Sequence, residues 1–214
     1  MKLKYGIITL MATFLFTLTA QAQNVFNEVS YSPRQTTFKL NAPKKPTLRI
    51  YEAGRGGNAI KKIKMKQTAE NVWEATVSGD LKGKFYTFDI GRGETPGVFA
   101  KAVGINGHRG AIIDMQTTNP SGWNSDHRLA LKSPADLIIY EMHHRDFSID
   151  PSSGLVNKGK FLALTEQKAI RHLKELGINA VHILPSFDFA SIDEANTTTP
   201  QYNWGYDPQN YNVP

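Results

Sequence analysis

The hydrophobic period of this chain changes once, and that change limits what it can fold into. Up to about residue 114 the apolar residues fall in short β-type runs at 36–40, 47–51, 60–65, 72–77 and 84–90. Turn-rich breaks at 41–46, 54–58, 78–82 and 91–97 separate them. Val72-Trp73-Glu74-Ala75-Thr76-Val77 and Phe85-Tyr86-Thr87-Phe88-Asp89-Ile90 alternate with period two, as a sheet with one buried face requires. Short strands at this spacing, with no long helix between them, predict an antiparallel β-sandwich over residues 23–118.

Beyond a Pro-, Gly- and Ser-bearing linker at 119–135, which carries Trp123, the pattern is different. Leu137-Ile138-Ile139-Tyr140 is an unbroken apolar run that suits a strand covered on both faces. Leu162, Ala169, Ile170, Leu173 and Leu176 then recur near helical spacing, and Gly177 is placed to end the helix in a left-handed conformation. Ala180-Val181-His182-Ile183-Leu184-Pro185 is a second apolar strand. Strand, helix and strand make a βαβ unit with a parallel sheet and a right-handed crossover. Two strands cannot bury a parallel sheet, so residues 136–214 are expected to be a truncated α/β domain, or one completed by another chain.

The first residues read as a targeting signal. Lys2 and Lys4 precede an apolar run over 7–18, which ends in Ala20-Gln21-Ala22. The run is well short of the roughly 20 residues that span a bilayer, so 1–22 is expected to be a secretory signal cleaved near Ala22. The mature chain is then exported, to the periplasm, cell surface or extracellular space, with no membrane span. The 214 residues contain no Cys, which excludes disulfides, thiolate catalysis and Cys-based zinc sites. Without the two signal lysines, 23 basic residues face 19 acidic ones, a mild excess. Lys61, Lys62, Lys64 and Lys66 read as a solvated strand face, and no nucleic-acid partner is expected.

The functional signal lies near the end. Tyr202-Asn203-Trp204-Gly205-Tyr206-Asp207-Pro208, followed by Asn210-Tyr211-Asn212-Val213-Pro214, alternates aromatic and small polar residues behind the second parallel strand. Flat aromatic faces stack on pyranose rings, and amides and carboxylates reach hydroxyls, so Tyr206, Trp204, Asn203 and Asp207 are the candidate sugar-binding residues. Core packing is the competing role for Tyr206, and loop shaping for Asn203, Trp204 and Asp207. Gly205 and Pro208 look conformational.

With these residues in view, the chain resembles the N-terminal part of a type I pullulanase, in the α-amylase superfamily (glycoside hydrolase family 13). The resemblance rests on Ala100-Lys101-Ala102-Val103-Gly104-Ile105-Asn106-Gly107, on Ile139-Tyr140-Glu141-Met142-His143-His144-Arg145-Asp146-Phe147-Ser148 and on His172-Leu173-Lys174-Glu175-Leu176-Gly177-Ile178. Leu184-Pro185-Ser186-Phe187-Asp188-Phe189 and the Tyr202 to Pro208 run complete it. It implies a sandwich like carbohydrate-binding module family 48 on the start of a (β/α)8 barrel that cleaves α-1,6 bonds in pullulan, starch or glycogen. In such barrels the site lies at the C-terminal ends of the strands. Tyr206 matches the tyrosine that stacks on the sugar at the cleavage subsite. The α-glucan is the implied partner; no cofactor is required, and calcium stays open.

Retaining hydrolysis needs two carboxyl groups about 5 Å apart. The resemblance places them on later barrel strands, so no catalytic residue is expected in this chain, and nucleophile and acid/base are expected beyond Pro214. Glu141, Asp146, Asp188, Asp193 and Glu194 read as structural carboxylates at strand ends and in a loop. His143 and His144 would point to opposite faces of a strand and cannot share a metal ion. Gly54-Arg55-Gly56-Gly57 reads as a hairpin turn rather than a phosphate loop, and Trp73 as core rather than a glycan platform. A non-catalytic glycan-binding sandwich, or an isoamylase or branching enzyme of the same superfamily, are the alternatives.

Overall fold

The structure, a computed structural model, describes residues 26–128, 130–211 and 213. The expected signal segment, with Asn212 and Pro214, lies outside the described residues. Among the described residues no helix is long and apolar enough to cross a membrane.

Nine strands form two antiparallel sheets. They are β1 (Val29–Tyr31), β2 (Gln35–Asn41), β3 (Thr47–Tyr51), β4 (Lys61–Lys64), β5 (Lys66–Ala69), β6 (Val72–Ser78), β7 (Phe85–Asp89), β8 (Glu94–Thr95) and β9 (Gly110–Ala111). One sheet has the order β1-β2-β6-β5; the other has β4-β3-β7-β8, with β9 also on β7. Their inner faces meet in one core, to which β2 and β6 give Phe38, Leu40, Ala75 and Val77, and β3 and β7 give Leu48, Ile50, Tyr86 and Phe88. Phe38 meets Tyr86 across the sheets with ring centroids 5.3 Å apart. The alternation in β2 and β6 thus does what period two requires, whereas the expectation of one buried face is corrected for β7, where Thr87 between Tyr86 and Phe88 is buried as well, its hydroxyl donating to Glu94 of β8.

The lysine run crosses between sheets. β4 belongs to one and β5 to the other, and the chain passes between them at Met65, which is fully buried while the four lysines stay exposed. Gly54 to Gly57 form the β3–β4 hairpin loop; Gly56 and Gly57 take positive φ, and Arg109 donates to the carbonyls of Ala53, Gly56 and Gly57. Trp73 is half-buried against the core and donates its indole N–H to the Ala42 carbonyl at 2.9 Å. The break expected at 91–97 contains β8, which the turn-rich sequence concealed.

After short 3-10 turns at Met115–Thr118, Trp123–Ser125 and Pro134–Asp136 comes β10 (Ile139–Met142), then helices α1 (His144–Ile149) and α2 (Gln167–Glu175), then β11 (Ala180–Ile183). β10 and β11 pair in parallel, with Ile139 opposite Ala180. Three expectations are corrected here. The first strand starts two residues later than the apolar run, and its Ile138 and Ile139 are exposed rather than covered on both faces. Leu162 lies exposed in a 3-10 turn (Phe161–Thr165) before α2, because Glu166 breaks the helical period there with extended φ/ψ. The short α1 follows β10 at once, carrying Phe147 toward a small core of Leu155, Ala163 and Ala169. Gly177 ends α2 as expected, at φ +76°, with its N–H on the Lys174 carbonyl and that of Ile178 on the Leu173 carbonyl. Two short strands, β12 (Asp188–Phe189) and β13 (Pro208–Asn210), then pair antiparallel and bracket a long loop.

Candidate functional site

The loop over residues 190–207 folds back onto the C-terminal ends of both parallel strands. One residue past β10, His143 meets the Asn203 carbonyl at 2.8 Å through Nε2. A carbonyl only accepts, so Nε2 carries the proton in this contact. The His143 ring stacks on Tyr202 at 5.5 Å between centroids, and the Tyr202 hydroxyl donates to Asp146 of α1 at 3.0 Å. Beyond β11, Gly205 packs against Pro185, with φ +92°. A side chain would fit neither that backbone angle nor that space.

The two polar candidates build the loop. The Asn203 amide donates to Ser191 Oγ at 2.8 Å and Asp207 Oδ1 at 2.5 Å, while its oxygen accepts from the Gly205 N–H at 2.5 Å. Asp207 Oδ2 accepts the Ser191 N–H at 2.9 Å. Hydrogen bonds from the Ser191 side chain and Asn203 hold the Asp207 carboxyl below its ordinary pKa.

With those atoms engaged, the aromatic rings are left to face outward. Trp204 is 63% and Tyr206 65% exposed, and with Tyr202, Asn203 and Asp207 they line one shallow, open recess. Large apolar faces presented to solvent by a hydrogen-bonded loop mark a candidate interaction surface. More enclosed recesses lie on the sandwich, one of them lined by Phe26, Glu28, Val98 and Phe99, and neither includes a residue of this loop.

The structure engages most of the tempting carboxylates structurally. Asp146 holds Tyr202 and Arg145, Asp188 accepts from Asn210, and Asp193 and Glu194 bond Asn106. The histidine expectation is corrected: β10 ends at Met142, His143 caps α1, and the rings of His143 and His144 stack at 5.3 Å, 9° from parallel, instead of opposing each other. Among the described residues no group of three or more His, Cys, Asp or Glu could hold a metal ion. His143, Asp146, Ser191 and Asn106 support the loop without having been singled out for that part. The partners of His143, Asp146 and Asn106 lie far away in sequence, so no local pattern marks them.

No protein-family model matches the chain. It is 34% identical over 197 residues to the pullulanase of Bacillus subtilis, a match that covers 86% of this chain and 27% of that protein. It superposes on the crystal structure of pullulanase from Paenibacillus barengoltzii, solved with maltohexaose and α-cyclodextrin, with TM-score 0.82 and 42% identity over 87% of this chain and 31% of that one. Rice isoamylase 3 is 39% identical over 103 residues, 45% of this chain and 13% of that protein. The β-rich part matches the N-terminal β domain of the solved pullulanases, and the relatives themselves are of the debranching glycoside hydrolase class. Within that class the chain belongs with the pullulanases and spans about a third or less of their length.

Proposed function

We propose that this chain is the glucan-engaging portion of an exported enzyme that hydrolyses α-1,6-glucosidic bonds in pullulan, starch or glycogen with retention. The sandwich is of the carbohydrate-binding module 48 type, and β10, α1, α2 and β11 open a (β/α)8 barrel. One observation carries the reading: the aromatic loop lies on the C-terminal ends of two parallel strands, where barrels of this kind place their sites.

In this reading Tyr206 stacks on the sugar ring at the cleavage point and Trp204 flanks it. Asn203 and Asp207 hold both rings in place through the hydrogen bonds described above. The nucleophile and the acid/base are supplied by residues beyond Pro214, about 5 Å apart across the scissile bond, and this portion alone does not turn over. The maltooligosaccharide complex of the Paenibacillus relative supports an α-glucan ligand.

The test is reducing-sugar release from pullulan by the 214-residue chain beside a chain extended through the following reading frame. Activity in the longer form alone is the expected result. Activity in the short form would overturn the placement of the acids, and none in either would overturn the hydrolase. The rice isoamylase match favours a second reading, in which glycogen is debranched faster than pullulan. The ratio of the two rates separates them.

A further inference from the structure

The sandwich grips the candidate sugar-binding loop at one turn. In Ile105–Gly107, Asn106 takes φ 58° and ψ 27°, the left-handed region that Asn tolerates better than most residues. Its peptide N–H donates to Glu194 Oε2 at 2.6 Å. Its side-chain amide donates to Asp193 Oδ1 at 2.9 Å, and its side-chain oxygen accepts from the Glu194 N–H at 2.8 Å. Three hydrogen bonds thus join one sandwich residue to two consecutive loop residues, and the Asn106 amide holds the Asp193 carboxyl below its usual range.

The next residue grips both ends of the loop. The Gly107 carbonyl accepts from the Asn210 amide at 2.9 Å, and that amide also donates to the buried Asp188 at 2.6 Å. A Cβ at Gly107 would lie 2.2 Å from Asp188 Oδ2. The turn itself is anchored behind: a Cβ at Gly104 would lie 2.5 Å from the Gly54 Cα, so turn and β3–β4 hairpin touch backbone to backbone. A loop this long with no strand or helix of its own needs such anchors to hold one conformation.

We infer that Asn106 is a positioning residue: through Asp193 and Glu194 it fixes the 190–207 loop, and with it Trp204 and Tyr206, relative to the sandwich. The module that carries no sugar-stacking residue of this loop thereby sets where those residues stand. The effect on ligand rests on the proposed function; the grip itself does not.

Two substitutions separate the side chain from the backbone. Asn106→Gly keeps the positive φ and removes the amide; Asn106→Asp keeps the shape but sets a carboxylate against Asp193. In both, chymotryptic cleavage at Tyr202, Trp204 or Tyr206, read by mass spectrometry without sugar, should rise about tenfold, the factor that about 1.4 kcal/mol of local opening gives. The thermal midpoint of the sandwich should not move. Adding Asp193→Asn to Asn106→Asp should restore part of the protection, a rescue that general destabilisation cannot produce. Cleavage within twofold of the unsubstituted chain, or a parallel fall in the sandwich midpoint, would overturn the inference. Maltotetraose affinity, measured on the same proteins, should weaken about fivefold or more. If the unsubstituted chain binds no maltotetraose, the proposed function fails while cleavage still decides the grip.

Discussion

The carbonyl of Pro185 and the backbone of Gly205 are in direct contact: a Cβ at Gly205 would lie 1.8 Å from that oxygen. The contact ties the aromatic loop to the segment that follows β11, just as the bond from His143 to the Asn203 carbonyl ties it to β10. Gly205→Ala therefore meets both a clash and a positive φ, together about 2 kcal/mol or more. We expect maltotetraose affinity to fall at least tenfold, by titration calorimetry, with sandwich stability unchanged. An unaltered affinity would detach the loop's shape from binding.

Tyr206 is exposed, so removing it should cost binding and not folding. Tyr206→Ala should weaken maltotetraose binding about tenfold, roughly the loss of one aromatic stacking contact, and Tyr206→Phe should retain most of the affinity. Urea midpoints should be equal for all three proteins. Equal affinities instead would remove Tyr206 from the site.

The Asp207 carboxyl has a depressed pKa in the folded loop, through hydrogen bonds from the Ser191 side chain and Asn203. A depressed carboxyl stabilises above its unfolded pKa, about 4, and loses that contribution as pH falls through its lower folded value. Affinity for maltotetraose should therefore be flat from pH 7 to 5 and fall only below about pH 4. Asp207→Asn should bind more weakly at pH 7 and show a smaller acid step, what remains coming from Asp193, as ligand-observed NMR across the range would show.

Trp73 packs on the core and donates to the Ala42 carbonyl. Trp73→Phe should lower sandwich stability by about 1 kcal/mol, and Trp73→Ala by about 3 kcal/mol, in urea unfolding. Neither should alter maltotetraose binding. Lost binding with intact stability would make Trp73 a glycan platform after all.

The strands of the sandwich were legible because burial on one face writes period two into β2 and β6, and turn residues punctuate them. The parallel unit was legible from two apolar runs and Gly177. Where the sequence misled, local chemistry was ambiguous. His143 and His144 extend a strand by composition, yet α1 begins there, and Glu94 and Thr95 pair with β7 amid glycines that look like loop.

By itself, then, the sequence determined that there is an antiparallel module, a strand, helix and strand unit after it, and an aromatic loop with Tyr206 and Trp204. Tertiary structure alone decided that Asn203 and Asp207 bond within the loop, and that Asn106 reaches Asp193 and Glu194 across a separation of more than 80 residues. The physical reason is that periodicity records burial along one element, whereas a hydrogen bond between distant segments leaves no spacing to read.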